Sequence, residues 1–510
     1  MALQQAYLAF LQKLPGVRGP TGKLTFKEKM KWTGLILVLY FLLAQLIVYG
    51  VAPSSLEQLR FLEILLGSSF GSLMSLGIGP LVTASIILQL LVGSKILSWN
   101  LQTTEGKQMF QGTQKLLGIL FSFMEAVIFV SMGAVPAASP SLAGLVMLQL
   151  AAGGILVIFL DEVISKWGFG SGIGLFIVAG VAKSMLVRAF NPLTQAGLFP
   201  GAGAPPAGLI PFAVTAVATG ELLNAFLALL PVMATIVVFF LVTYANAIKV
   251  EIPLAFGNIR GFGRRWPLKF FYTSNIPVIL VAALLANINL MGTMLANNGN
   301  PLLGAFDAQG NPTGGLVFFL TPPRTEALGG LMVSAGIFAL LGAILASFTG
   351  KGKFSLVAIF AALGGAVWVL AAAGMGITSL TFIPAIDIAR AITYTLVLTG
   401  GAVLFSVFWM STSGMDSRSV ADQISGIGMQ IPGYRRDPRI METVLSRYIP
   451  GLTVLGGAAV GLLAAYADFT NAIGTGTGIL LATLIIFQLY EQLASQHLDD
   501  MHPGLRRFFE

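Results

Sequence analysis

The sequence predicts an all-α polytopic membrane protein, and three observations carry this prediction. The first is composition, because 56% of the 510 residues are apolar and only 10% are charged, whereas soluble domains carry about 25% charged residues. The second is charge placement, since Glu125 and Lys183, with Arg188 near the end of the same stretch as Lys183, are the only charged side chains inside the long apolar stretches. The third is the length of those stretches, because a helix needs about 20 apolar residues to cross a bilayer.

Hydropathy places the membrane-spanning segments along the whole chain, between a basic, amphipathic N-terminal segment (1–32) and a polar tail (491–510). Twelve spans are predicted, at 33–51, 73–92, 116–135, 142–160, 172–190, 222–248, 275–295, 328–349, 354–377, 391–410, 448–467 and 474–490. Alternating the connections puts most of the Lys and Arg residues on one side, which by the positive-inside rule is the cytoplasm. Both termini are therefore predicted to be cytoplasmic.

The residue types that are missing exclude several classes of site. The chain has no cysteine, so no disulfide framework or thiolate metal site is expected. Its two histidines, His497 and His502, lie in the polar tail, which argues against a histidine-based metal centre. The sequence contains no Ser/His/Asp set, no HExxH motif and no carboxylate pair on one helix face, so we predict neither catalytic residues nor a cofactor.

Two cytoplasmic connections, 249–274 and 412–447, are longer and more basic than orientation alone requires. One interpretation is that they are ordinary orientation signals that also contact lipid phosphates. The other is a docking surface for a large acidic partner such as ribosomal RNA, and their length favours it. The cations concerned are Arg260, Arg264, Arg265, Lys269, Arg418, Arg435 and Arg436.

Glycine and proline interrupt the apolar pattern at three places. Segment 51–79 is predicted to lie outside yet is apolar, so it either folds back into the membrane or rests as a hairpin on the outer surface. The glycine clusters at 168–174 (GFGSGIG) and 474–478 (GTGTG) each open an apolar helix. Close packing through small residues explains them better than phosphate binding does. Their positions, at the fifth and last spans, indicate two related halves.

Glu125 lies on an otherwise apolar helix and needs a partner. Thr83, Gln89, Asn287 and Asn289 are the polar candidates within the other spans. Residue type leaves two interpretations open: a polar contact that breaks when helices separate, or a protonated packing residue. Lys183 is expected to extend its amine toward the outer face.

Several strings together resemble the SecY family of protein-conducting channels, in its archaeal form. They run in the family's order over most of the chain: LTFKEKMKWT (24–33), GIGPLVTASIILQLLVGS (77–94), FQGTQKLL (110–117), LDEVISKWGFGSGIGLFI (160–177), VEIPLAFGNIRG (250–261), YTSNIPVIL (272–280), GTGTGILL (474–481) and YEQLASQHLDDMHPGLRRFF (490–509). The resemblance implies two pseudo-symmetric five-helix halves around a central pore, with an external plug near 56–75.

The resemblance also implies site residues and partners. A polar cluster at a lateral gate would consist of Thr83, Glu125 and Asn287, and Arg435 would be the key ribosome-docking arginine. The implied function is a non-enzymatic conduit in the cell membrane for secretory and membrane proteins, assembled with SecE and a small beta subunit and docked to the ribosome. An apolar ring would close the pore, formed by Ile78, Val82, Ile173, Ile177, Ile279 and Leu481.

One departure from the family concerns the number of spans. The family has ten, so a two-helix hairpin at 328–377 is predicted as an addition to the N-terminal half (33–190), the central part (191–327) and the last three spans (391–490). Two alternatives to a protein channel remain at this point. A secondary transporter suits glycine-broken repeats but should concentrate polar groups at the midplane. An intramembrane enzyme is disfavoured because no catalytic set is present.

Overall fold

The computed structural model of the protein describes twenty stretches of the chain. These are residues 2–22, 24–52, 71–94, 96–97, 99, 101, 103–131, 133–194, 198–200, 205–256, 263–273, 275–297, 299–307, 311–323, 325–349, 353–374, 380, 382–426, 429–430 and 437–500. The predicted plug, 56–75, therefore falls outside the described residues except for 71–75. Arg260, Arg435 and Arg436 fall outside them as well.

Helices dominate the N-terminal half. They are α1 (Ala2–Gln12), α2 (Phe26–Leu43), α3 (Gly79–Gly93), α4 (Thr104–Ser131), α5 (Ala143–Trp167) and α6 (Gly172–Phe190). Helix α2 begins with a capping box, in which the Thr25 hydroxyl accepts from the Glu28 N–H and the Glu28 carboxylate accepts from the Thr25 N–H. This reciprocal pair satisfies two N–H groups that a helix start otherwise leaves unpaired.

The described residues after α6 add ten helices and five short strands. The helices are α7 (Leu209–Ala218), α8 (Leu222–Asn246), α9 (Ile276–Asn297), α10 (Leu316–Phe319), α11 (Glu326–Thr349), α12 (Lys353–Gly374), α13 (Ala385–Thr412), α14 (Ser417–Gly426), α15 (Pro438–Phe469) and α16 (Gly476–Asp500). The strands are β1 (Lys249–Phe256), β2 (Gly263–Lys269), β3 (Gly304–Phe306), β4 (Pro312–Gly315) and β5 (Met429–Gln430).

Membrane-crossing helices make up most of the described structure. Within the described ranges, ten helices are long and apolar enough to cross a membrane: α4, α5, α6, α8, α9, α11, α12, α13, α15 and α16. The other two predicted spans correspond to α2 and α3. Helix α2 carries charges in its first turns, and α3 has 15 residues, which is about 22 Å of helix.

Two predicted spans include long stretches that are not helical. The first span, predicted to run to residue 51, ends as a helix at Leu43, because the chain then turns to form backbone bridges with the stretch after residue 70 and with Ala137. The second, predicted from residue 73, begins as a helix only at Gly79. Residues 71–78 form turns and one backbone bridge instead, and all but Gly71 and Leu73 are buried, with Met74 and Leu76 fully covered.

The turn segment 71–78 is held by backbone contacts with its neighbours. The Val48 N–H donates to the Gly71 carbonyl over 2.9 Å, and the Leu73 N–H donates to the Leu46 carbonyl over 2.8 Å. Gly153 of α5 lies against it so closely that a Cβ there would be 1.8 Å from the Leu73 carbonyl oxygen. Irregular backbone is tolerated at membrane depth when protein buries it in this way.

The connections between membrane helices form a small antiparallel sheet that was not predicted from the sequence. Its strand order is β2-β1-β5, so the two long basic connections pair with each other through Ala255 and Gln430. We call this sheet, with α14 and the first turns of α15, the strand platform. Its own apolar cluster consists of Ile252, Leu254, Leu268, Tyr272, Val420, Ala421, Ile424, Met429, Met441, Leu445, Ile449 and Leu452.

The predicted extra hairpin, 328–377, forms two helices, α11 and α12, that pack closely on each other. Helix α11 also contacts α8 and α15, and the Tyr466 hydroxyl of α15 donates to the Met332 carbonyl over 2.8 Å. Gly336 permits this approach, because a Cβ there would be 2.0 Å from the Tyr466 oxygen. The α11–α12 hairpin therefore lies against the C-terminal half of the molecule.

Candidate functional site

The six side chains predicted to form an apolar ring lie in one continuous apolar cluster. Four helices supply them, and α3 contacts α9, α9 contacts α16, and α16 contacts α6. Five of the six are buried and Ile173 is half-buried against the same cluster. By helix they are Ile78 and Val82 at the start of α3, Ile173 and Ile177 on α6, Ile279 on α9, and Leu481 on α16.

Local sequence explains how two of these helices present their ring residues near their first turns. Gly77 adopts a positive φ of 52°, a backbone conformation that glycine reaches without steric cost. Pro80 then occupies the first turn of α3, where its missing N–H has no helical acceptor to lose. Gly170, just before α6, has a φ of 72° for the same reason.

Three polar side chains predicted to act together meet beside this cluster, and we call them the polar seam. The Thr83 hydroxyl of α3 donates to Glu125 Oε1 of α4 over 3.2 Å. The Asn287 amide of α9 donates to Thr83 Oγ1 over 3.4 Å. All three side chains are half-buried. The seam thus joins α3 to a helix on either side of it through two long hydrogen bonds.

The helices around the polar seam pack closely against Glu125 and offer it few other hydrogen-bond partners. A Cβ on Gly79 would lie 2.9 Å from Glu125 Oε2, so this glycine keeps the carboxyl close to α3. Of the other polar candidates on these helices, Gln89 is buried, and its Oε1 has no hydrogen-bond partner among the described residues. Lys183 is exposed on α6, away from the seam.

Two further carboxyls occupy helix starts and were missed by sequence reasoning. Asp161 of α5 accepts the Ile173 N–H over 2.9 Å at the first turn of α6. Asp468 of α15 accepts the Thr477 N–H over 2.8 Å at the first turn of α16. Both helices run past the ends of their predicted spans, so these two carboxyls lie just outside the apolar stretches in which Glu125 and Lys183 were identified. A signal was available, since each aspartate precedes one of the two glycine clusters.

The basic residues predicted for docking are only partly paired. Arg265 is 79% exposed and donates to Glu251 over 3.0 Å, and the bond from Arg265 holds the pKa of Glu251 below its ordinary value. Lys269 forms an ion pair with Glu491 of α16. Arg418 is exposed on α14, and Arg264 lies in β2. The strand platform thus keeps cations at its surface.

The side chains beneath those cations are apolar, and among them the Tyr272 hydroxyl is held by a hydrogen bond. The Tyr272 hydroxyl donates to the Met415 carbonyl over 2.7 Å. Burial raises the pKa of Tyr272 to about 12, so the hydroxyl remains a donor further into the alkaline range than an exposed tyrosine does. Within the described residues, no group of three or more metal-ligating side chains occurs.

Comparison with known proteins decides between the classes of function left open by the sequence. The SecY family model matches residues 72–490 of the chain. The chain belongs to the SecY family. This family consists of protein-translocation channels rather than enzymes or secondary transporters.

Individual relatives match over almost their whole length. The protein translocase subunit SecY of Methanothermobacter thermautotrophicus is 42% identical, with 99% of each chain covered. A solved structure described as a protein-conducting channel is 38% identical, covers 97% of this chain and 98% of its own, and has a TM-score of 0.76. Sec61 in a canine ribosome-channel complex from the endoplasmic reticulum is likewise 38% identical over the same shares, with a TM-score of 0.73.

Proposed function

We propose that the chain forms the central pore of a Sec channel, and that the six-residue apolar ring closes this pore at rest. The single observation that carries the proposal is that the four helices which supply Ile78, Val82, Ile173, Ile177, Ile279 and Leu481 contact one another in the order α3, α9, α16 and α6, with all six side chains packed in the main apolar core. The channel passes unfolded secretory proteins across the membrane. It also releases apolar helices sideways into lipid.

The ring acts through its lack of polar groups. A narrow apolar neck dewets and blocks ions, and it offers no fixed charge that would hold a passing chain. Aliphatic side chains also adjust to polypeptides of different shapes because they make no directional bonds. The ring therefore blocks ions at rest and adjusts its shape around a polypeptide during passage.

The decisive experiment measures resting ion leak in vesicles that contain the purified complex. Leu481→Asn and Ile177→Asn should each raise the leak about tenfold or more, because a polar side chain lets water enter the neck. Leu398→Asn is the matched control, since Leu398 is as fully buried as Leu481 but lies on α13, outside the ring. An equal leak from the ring variants and the control would overturn the ring assignment.

The polar seam is proposed as the lateral gate of the channel. Thr83, Glu125 and Asn287 link α3, α4 and α9, and opening sideways would separate these helices and break both hydrogen bonds. A signal peptide entering at this point would replace a polar contact with apolar surface. Cysteine pairs placed across α3 and α9, in a chain that has no native cysteine, should block translocation when crosslinked and restore it when reduced.

The strand platform is proposed as the docking site for the ribosome. Support comes from its exposed cations and from the ribosome-bound state of the canine relative. Reversing the charge of Arg264, Arg265 and Arg435 together should weaken ribosome binding and flatten its salt dependence, because each lost phosphate contact removes counterion release. Unchanged binding by the triple variant would leave these cations with orientation and lipid contacts alone.

The remaining proposals concern assembly and placement. We assign the chain to the cell membrane beside SecE and a small beta subunit, with both termini cytoplasmic, because its Lys and Arg residues fall in alternate connections. The segment 56–75 is assigned as the plug, and 328–377 as an addition to the ten-span plan. A peripheral position for the 328–377 hairpin is supported by the exposure of most of α12.

A further inference from the structure

Two octapeptides in opposite halves of the chain open their helices in the same way. GSGIGLFI (170–177) leads into α6, and GTGTGILL (474–481) leads into α16. Aligned without a gap, the first glycines coincide, and both have a positive φ, 72° at Gly170 and 77° at Gly474. The same alignment matches Ile177 with Leu481, which are two members of the proposed ring.

Each octapeptide receives a carboxyl from the helix before it. Asp161 Oδ1 accepts the Ile173 N–H over 2.9 Å, and Asp468 Oδ1 accepts the Thr477 N–H over 2.8 Å. Ile173 and Thr477 hold the same place in the alignment. The first N–H groups of a helix have no partner within the helix, so in both halves a distant aspartate supplies the acceptor that the helix start lacks.

In each octapeptide the second glycine, Gly172 or Gly476, brings its helix into direct contact with the helix before it. A Cβ at Gly172 would lie 2.6 Å from Asp161 Cα, and one at Gly476 would lie 1.8 Å from the carbonyl carbon of Ala467. Neither position has room for a side chain. The start of each helix is therefore fixed by backbone contact as well as by the carboxyl.

The fixed first turns of α6 and α16 determine where Ile177 and Leu481 lie. Ile177 and Leu481 each lie five residues after the glycine that opens their helix, which is about 7.5 Å along the axis. We propose that Asp161 and Asp468 are a repeat-related pair of positioning residues, which hold α6 and α16 so that Ile177 and Leu481 meet in the closed ring. This inference rests on the proposed ring, and it assigns the ring two supports that lie outside it.

The two supports differ in strength. Asp468 Oδ2 also accepts from the Tyr394 hydroxyl over 2.6 Å and from the Thr477 hydroxyl, which ties α16 to α13 as well as to α15. Asp161 is bonded to α6 from the adjacent helix α5. Losing Asp468 should therefore displace its helix further than losing Asp161.

The test compares Asp161→Ala and Asp468→Ala with Asp161→Asn and Asp468→Asn in the reconstituted complex. Each Ala variant should raise resting ion leak, Asp468→Ala about tenfold and Asp161→Ala by less, since the hydrogen bond that anchors a helix start is lost. Asp161→Asn should stay within about twofold of the native leak, because an amide oxygen caps a helix start nearly as well. Asp468→Asn keeps the cap but replaces the Oδ2 acceptor of the Tyr394 and Thr477 hydroxyls with a donor, so its leak should lie between those of the native protein and Asp468→Ala. Tyr394→Phe, which removes one bond and keeps the cap, should give an intermediate leak.

Controls separate positioning from general stability. Asp387 has the same 7% exposure as Asp468 but pairs with Arg390 on α13, so Asp387→Ala should lower thermal stability without raising leak. If Leu481→Asn leaks and the Asp→Ala variants only lose stability, the positioning role is wrong while the ring stands. If Leu481→Asn itself does not leak, the ring assignment fails first. Should an Ala variant not fold, its Asn and Tyr394→Phe counterparts decide the result.

Discussion

The polar seam and the strand platform use polar groups in opposite ways. In the seam, three polar side chains sit among apolar helices and are joined by hydrogen bonds of 3.2 and 3.4 Å. In the platform, Glu251 and Arg265 are partly exposed and rest on a separate apolar cluster. A polar group in an apolar site costs free energy unless it is paired. The seam can therefore bias the packing of helices, whereas the platform's charges remain available to an outside partner.

The comparison implies that the platform folds around its own core, and Leu254 tests this most strongly. Leu254 is 1% exposed, and Leu254→Ala should destabilise the platform by about 2–5 kcal/mol through lost burial and the cavity left behind. Limited proteolysis should then cut the β1–β2 region faster while resting leak stays native. Val250→Ala, at a half-buried position, is the milder control. A rise in leak with Leu254→Ala would show that the two regions are not independent.

The seam's close packing predicts the next largest effect. Gly79→Ala should cost about 2 kcal/mol in the free energy of unfolding, because its Cβ would lie 2.9 Å from Glu125 Oε2 and overpacking strains the site. Gly400→Ala on α13 is the matched control, since no atom lies within 4 Å of its new Cβ. That control should stabilise the helix by up to about 1 kcal/mol. Thermal unfolding of the purified variants distinguishes the two signs.

The pairing inside the seam predicts a smaller effect that depends on how many partners are changed. Glu125→Ala leaves Thr83 without its acceptor and should cost about 1 kcal/mol, whereas Glu125→Gln should be close to native. The triple change Thr83→Val, Glu125→Leu, Asn287→Leu should be less harmful than the single Glu125→Ala, because an apolar seam leaves no polar group unpaired. Equal losses from the single and triple variants would mean that the seam bonds add nothing beyond packing.

The platform's surface pair predicts the smallest effect, and a pH dependence with a definite sign. The Arg265 bond, with Lys249 nearby, lowers the pKa of Glu251 below its ordinary value of 4.5. A carboxylate with a lowered pKa adds stability above its ordinary range and loses it as pH falls through the lowered value. Proteolysis of the β1–β2 region should therefore speed up in acid, and Glu251→Gln should flatten that profile slightly. If Glu251→Gln left the pH dependence of proteolysis unchanged, the Arg265–Glu251 pair would not contribute to it.

Hydropathy predicted which segments cross the membrane but not always where their helices end. The span predicted at 172–190 coincides with α6 (Gly172–Phe190), because a glycine-rich turn and the Asn191 cap interrupt it at the membrane boundaries. The span predicted at 448–467 is part of α15 (Pro438–Phe469), which continues into the platform. Hydropathy detects the apolar part of a helix that lies in the membrane. It does not detect the polar part of the same helix that continues beyond the membrane.

The candidate site could be predicted from the sequence where a residue type was unusual for its surroundings, as a carboxyl is in an apolar stretch. Glu125 was selected as a carboxyl in an apolar stretch, with four polar residues as candidate partners. The family resemblance chose Thr83 and Asn287 from these four, and the structure brings the three side chains together. Asp161 and Asp468 were not selected, because they lie just beyond the predicted spans and look like ordinary loop charges. The β1–β2–β5 sheet was also missed, since Pro253 and Pro267 disguise its strands. The ring residues came from the family resemblance, and their role as a seal stays a prediction.

The shortness of α3 has a consequence for how the chain is built. Its 15 residues reach about 22 Å, which falls short of the hydrocarbon thickness of about 30 Å. The missing depth is supplied by the turns at 71–78, whose backbone is covered by Gly153 of α5. During synthesis this stretch emerges before α5 exists, so it should not be held stably in lipid on its own. We expect truncated chains ending before residue 143 to leave α3 accessible to water-soluble thiol labels at an introduced cysteine, and chains that include α5 to protect it.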